Sequence, residues 1–136
     1  MGWPPSRPPA TEAPGRAATL VSSFRFAFAG LTYVARTQRN FRIHLTLGTL
    51  ATGLGVVCGF APLEWAVLAG IITLVLFAEM LNTVVEAAVD LASPGYHPLA
   101  KVAKDVAAGA VLLTALGAVV AGLCLFGPHL LLFYHR

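Results

Sequence analysis

The sequence predicts an all-α integral membrane protein in which three transmembrane helices follow an amphipathic helix on the membrane surface. Three observations predict it. Apolar residues make up 57% of the 136-residue chain and charged residues 11%, too few to coat a water-soluble domain. Three apolar stretches, roughly His44 to Phe60, Trp65 to Leu91 and Val106 to Phe126, reach the about 17 to 25 residues that cross a bilayer. Basic residues flank these stretches asymmetrically. Arg7, Arg16, Arg25, Arg36, Arg39 and Arg42 precede the first, Lys101 and Lys104 separate the second from the third, and only Arg136 falls on the other side. Short cytoplasmic segments retain Lys and Arg, so the amino terminus is expected in the cytoplasm and the carboxyl terminus outside. The net charge of +3 suits anionic headgroups and not nucleic acid, because no aromatic platform accompanies the basic residues.

Each element has its own reason. Residues 1–22 carry five prolines and little to bury, which predicts a disordered tail ahead of one membrane domain over 23–136. The first apolar run arrives too late for a secretory signal. A surface helix is expected over about 23–40, where Phe24, Phe28, Leu31 and Ala35 recur at steps of four, three and four while Arg25, Arg36 and Arg39 sit elsewhere on the wheel. Packing of this helix on the bundle is an alternative compatible with the same pattern, and Ser23 is placed to cap it. Spans are expected over about 42–60, 64–92 and 104–127. Pro62, in the turn Ala61-Pro-Leu-Glu64, is expected to stop the first, and Gly55 and Gly59 form a GxxxG pattern that permits close helix contact. Ser93-Pro-Gly-Tyr-His-Pro98 reads as the inner loop. The residues after Pro128 form a tail with Tyr134 and Arg136 at the outer interface. Cys58 and Cys124 read as small packing residues.

The second span carries an unexpected polar stripe. Glu79, Asn82, Glu86 and Asp90 lie at offsets that a helix gathers within roughly 80° of its circumference. An acidic group at mid-membrane costs about 2.5 to 3.5 kcal/mol on insertion scales, and no intramembrane Lys or Arg is available to pair with these. Neither a P-loop nor a GxGxxG turn, hydrolase triad or zinc pair occurs. What remains, a polar stripe facing Lys104 and Asp105 across a short loop, suits a magnesium nucleotide: carboxylates bind Mg²⁺, the metal neutralises phosphate and a lysine holds the transferring group. If Asp90 is near the interface, Glu79 lies about 16 Å deeper, where it can deprotonate a lipid alcohol, and Glu86 is better placed for metal.

Taken together, Glu79-Met-Leu-Asn-Thr-Val-Val-Glu86-Ala-Ala-Val-Asp90, Tyr96-His-Pro-Leu-Ala-Lys101, Ala103-Lys-Asp-Val-Ala-Ala-Gly-Ala-Val111 and Arg39-Asn-Phe-Arg-Ile-His44 closely resemble the prokaryotic diacylglycerol kinase family, over about Ser23 to Leu125. The Asn-Phe-Arg-Ile-His and His-Pro-Leu-Ala forms look more like its undecaprenol kinase branch. The resemblance implies a homotrimer of three-span subunits in the bacterial inner membrane with active sites shared between neighbours. It also implies Glu79 as general base, Glu86 as metal ligand, Asn82, Asp90, Tyr96, His97, Lys104 and Asp105 on the ATP side, and Ala108 near the lipid. Mg²⁺ and ATP follow as cofactor and co-substrate.

One position departs from the pattern. The family usually places glutamate before the Arg-Asn pair as a second metal ligand, and this chain has Gln38 there, an oxygen donor without the charge. Among the histidines, His97 is expected on the nucleotide side, His44 in an interfacial hydrogen bond, and His129 and His135 merely at the outer interface. The expected activity is phosphorylation of undecaprenol. Diacylglycerol is the alternative acceptor, and a non-catalytic trimeric cation-binding protein is a third possibility disfavoured by a lysine at the mouth of the stripe.

Overall fold

The computed structural model describes residues 20–134, all of whose regular structure is helical: α1 (Leu20–Thr37), α2 (Arg39–Cys58), α3 (Pro62–Ala92) and α4 (Pro98–Tyr134). The proposed tail over 1–19, His135, Arg136 and the side chain of Tyr134 lie outside the described residues. Two compact units divide the chain, one reaching to Tyr33 and the other running from Val34 onward. In the first, Phe24, Phe28 and Leu31 are exposed, as in a helix whose apolar residues await a cover. Because α1 begins at Leu20, Ser23 lies inside the helix and does not cap it.

In the second unit, α2, α3 and α4 are each long and apolar enough to cross a membrane. The turn between α2 and α3 is set by Gly59, the one residue with positive φ among those described, at φ 70° and ψ 46°. A side chain would strain that left-handed conformation. Gly59 N–H donates to the Val56 carbonyl at 3.2 Å and Phe60 N–H to the Gly55 carbonyl at 3.1 Å, the Schellman closure that satisfies the last carbonyls of a helix. Gly59 therefore stops α2 and is not the second half of a packing motif. Pro62 has the opposite role from the one expected of it. It opens α3 at the first helical position, where its missing N–H costs nothing. The Glu64 carboxylate, inside the helix, accepts from Ala61 N–H at 2.7 Å.

α2 and α3 run antiparallel in close contact where α2 has no side chain. A Cβ on Gly55 would stand 3.1 Å from Trp65 and 3.2 Å from Phe60, and one on Gly48 would stand 3.0 Å from Ile72. Phe60, buried, packs its ring on Trp65, Phe126 and His129 at centroid distances of 5.7, 4.8 and 5.2 Å. His129 Nε2 meets Glu64 Oε1 at 2.8 Å. His129 is thus a strut between α4 and α3, not a residue lying free at the interface.

α4 outgrows the expected span at both ends. It starts at Pro98, again a first-turn proline, and continues through Pro128 to Tyr134. Pro128 has no N–H for the Cys124 carbonyl, a loss that membrane helices tolerate when packing restrains the chain on both sides. Leu112, Leu113, Leu116, Val119, Val120 and Leu123 are all more than half exposed, a surface suited to hydrocarbon or another chain and not to water. Threonines within these helices bond back to the carbonyl one turn earlier, as Thr46 does to Arg42, Thr49 to Leu45 and Thr52 to Gly48, each at 2.8 Å. Cys58 and Cys124 are free thiols.

Candidate active site

The polar stripe of α3 forms a gradient from buried to exposed. Glu79 is 3% exposed, Asn82 and Glu86 are half-buried and Asp90 is exposed; at the rise of an α-helix the eleven residues from Glu79 to Asp90 span about 16 Å. Asn82 Nδ2 donates to Glu86 Oε1 at 3.0 Å one turn on, and Thr83 Oγ1 donates to the Glu79 carbonyl at 3.0 Å. Two buried oxygens, Glu79 Oε1 and Asn82 Oδ1, have no hydrogen bond among the described residues. Unsatisfied buried acceptors are rare because each costs roughly 1 to 3 kcal/mol.

At the exposed end of the stripe, the short loop brings the amino terminus of α4 beside the carboxyl terminus of α3. Lys104 Nζ donates to Asp90 Oδ1 at 2.5 Å, joining the two helices, and Lys101 pairs with Asp105 along α4. These exposed pairs contribute little to stability, but they place two ammonium groups at the positive end of a 37-residue helix. A cavity of about 260 Å³ opens there, and its lining includes Asp90, Tyr96, His97, Lys101, Lys104 and Asp105. Five residues chosen from sequence for the nucleotide side therefore share one cavity. His97 has a local duty as well: its Nδ1 accepts from Leu99 N–H at 3.2 Å and caps α4, which leaves Nε2 as the ring's donor.

Other expected residues are placed less decisively. Gln38 is half-buried at the N-cap of α2, with extended backbone and no side-chain capping bond. The antiparallel register that sets Gly55 against Trp65 and Gly48 against Ile72 brings it level with the Asn82–Glu86 turn, yet no hydrogen bond joins it to Glu86 among the described residues. Ala108 lies exposed on α4, outside the lining of that cavity. Among the described residues, no three His, Cys, Asp or Glu side chains converge into a metal cage.

The contact between His44 and Glu79 was not foreseen. His44 Nε2 stands 3.3 Å from Glu79 Oε1. Counting alone does not pair them: a turn centred between Gly59 and Ala61 sets His44 level with Leu76, three positions short of Glu79.

Three apolar helices with a polar stripe ending in a basic and acidic cavity at one end of the bundle define a helical membrane protein with a polar site at the mouth of its spans. The chain belongs to the prokaryotic diacylglycerol kinase family, whose model matches residues 25–126. It is 48% identical over 116 residues to a diacylglycerol kinase of Synechocystis sp., covering 85% of this chain and 66% of that protein. It is 39% identical over 108 residues to the undecaprenol kinase of Bacillus subtilis, covering 79% and 88% respectively. A diacylglycerol kinase of Pseudomonas aeruginosa is 29% identical over 91 residues, covering 67% and 74%.

Proposed function

We propose that the protein is a lipid kinase that transfers the γ-phosphoryl group of ATP to the hydroxyl of undecaprenol. The observation that carries this proposal is the continuity of one polar track, from the cavity holding Asp90, Tyr96, His97, Lys104 and Asp105, through Glu86 and Asn82, to the buried Glu79. Lys104 and Lys101, at the amino end of α4, attract phosphate oxygens, and Tyr96 and His97 flank the nucleotide. Glu79 takes the proton from the lipid hydroxyl as its oxygen bonds to the γ-phosphorus. The bond from that phosphorus to the bridging oxygen breaks, and ADP leaves with the electron pair.

A magnesium ion fits the oxygen donors present. Asn82 Oδ1, beside Glu86 and without a hydrogen bond among the described residues, is an acceptor suited to a hard cation. Glu86 and Gln38 would hold the ion. When bound, it neutralises phosphate charge.

We further propose a homotrimer in the bacterial inner membrane, with the amino terminus cytoplasmic, α1 lying in the inner interface, and sites shared between neighbouring subunits. The apolar residues left exposed on α1 and α4 support this arrangement. Diacylglycerol is the second reading for the acceptor, favoured by the 48% identity to the Synechocystis diacylglycerol kinase; the undecaprenol reading draws on the Asn40-Phe-Arg-Ile-His44 and His97-Pro-Leu-Ala100 forms and on the Bacillus relative. Purified protein in a defined bilayer, given MgATP and either lipid, decides between them by the phosphorylated product. Undecaprenyl phosphate is expected, and a strong preference for diacylglycerol overturns the first choice.

A further inference from the structure

We infer that His44 is the positioning residue for the base: it holds Glu79 Oε1 so that the other carboxylate oxygen faces the lipid hydroxyl. The inference rests on the assignment of Glu79 as the base and extends it. Glu79 is among the most buried side chains described, and its Oε1 accepts no hydrogen bond from the described residues. A carboxylate that must accept a proton in one direction needs to be fixed in orientation, and a buried oxygen without a donor is not fixed. The group facing it is His44 Nε2, 3.3 Å away. A small rotation of the ring brings N–H and oxygen into line, because contacts of a catalytic group tighten when substrate closes the site.

The other side of His44 points to the same role. Between α2, α3 and α4 lies a cavity of about 250 Å³, lined among the described residues by His44 and otherwise by apolar residues, Leu47, Gly48, Ile72, Val75 and Ala118 among them. His44 is the polar group where this apolar space meets the base. Glu79 itself does not line it. An imidazole there can donate from Nε2 to the carboxylate while its carbon edge adjoins hydrocarbon. Phenylalanine would keep the packing and lose the donor, and lysine would carry a charge into the apolar cavity. Close packing holds this stretch of α2 against α3 while leaving the ring free to turn: Gly48, one turn along α2, meets Ile72 so tightly that a methyl group there would be 3.0 Å from it.

Three substitutions test this with the full-length protein in a defined bilayer. In glutamine, the amide nitrogen sits where Nε2 does; in asparagine, it matches Nδ1; leucine has neither. Since Nε2 is the atom that faces Glu79, His44→Gln is expected to keep most activity and both His44→Asn and His44→Leu to lose it. The loss expected from a base misplaced by about 1 Å is on the order of 10 to 100-fold in kcat. The KM values for ATP and lipid should stay within about twofold, because only the transition state uses the contact. Glu79→Gln is measured in parallel. If it is inactive while His44→Leu is fully active, positioning by His44 is wrong and the base assignment stands. If Glu79→Gln is itself active, the base assignment fails, and the inference with it. Equal losses in all three His44 variants, or weakened ATP binding in the leucine variant, mark His44 as a packing residue and overturn the inference.

Discussion

Enlarging Gly48 should act on catalysis through distance alone. A Cβ there would lie 3.0 Å from Ile72 Cγ2 and 3.4 Å from Cγ1, whereas carbon atoms prefer separations of about 3.5 to 4.0 Å. Gly48→Ala needs relief of roughly half an ångström at one contact, which the Ile72 side chain can supply by shifting, so activity within about threefold of the parent is expected. Gly48→Leu adds three further carbons at this contact; the adjoining cavity, which Gly48 and Ile72 both line, takes up part of them, and the rest presses α2 away from α3 at an overpacking cost of about 1 to 3 kcal/mol. His44 is one turn, about 6 Å, along the same helix, so a displacement of about 1 Å widens its 3.3 Å approach to Glu79 to about 4.3 Å, outside hydrogen-bond reach. Transfer of labelled phosphate from ATP to lipid, with circular dichroism and gel filtration as checks of folding, should show kcat reduced about tenfold or more in Gly48→Leu and nearly unchanged ATP affinity. A folded Gly48→Leu variant with full kcat would refute the reasoning. So would an alanine variant as damaged as the leucine one.

Three other outcomes are expected. Gln38→Glu restores a charged oxygen at the start of α2 and should lower the Mg²⁺ concentration for half-maximal activity; an unchanged titration curve removes position 38 from the metal site. Lys104→Ala removes an ammonium group from the polar cavity and unties Asp90, so KM for ATP should rise about tenfold, as expected for loss of one charge-assisted contact, with little change in KM for lipid. Glu64→Gln weakens the link to His129 at the far end of the bundle and should lower the melting temperature in a fixed detergent while leaving both KM values unchanged; altered KM values would connect that end to the site.

Much of the architecture was legible because membrane helices announce themselves by length and apolarity. The polar stripe was legible for the complementary reason, that charge inside such a run is conspicuous. What the sequence hid were contacts set by the way helices meet. Gly59 sits in a GxxxG spacing, yet the turn uses it for its left-handed backbone, and the close approach falls to Gly55 and to Gly48, which no motif marked. Pro62 and Pro128 were both read as helix breakers. The first begins a helix and the second is carried inside one, since a proline's effect depends on whether its missing N–H was needed. His44 and His129 could not be matched to Glu79 and Glu64 without knowing the register of antiparallel neighbours and the true length of α4. For Gln38 the register gives a level, beside the Asn82–Glu86 turn, and no hydrogen bond to Glu86 among the described residues, so its place in the metal site is a proposal.

The closure between α2 and α3 has a consequence for the order in which the chain assembles. Everything that shapes this hairpin is encoded within a short stretch: the Gly59 turn, the Pro62 start, the Glu64 bond to Ala61 and the contacts of Gly48 and Gly55 with Ile72 and Trp65. Phe126 and His129, which cover Phe60 and reach Glu64, are translated more than sixty residues later. The helical hairpin can therefore enter the bilayer as a finished unit while α4 is still inside the ribosome. Completion of α4 then acts as a clasp, added last and fastened at the end away from the reacting groups.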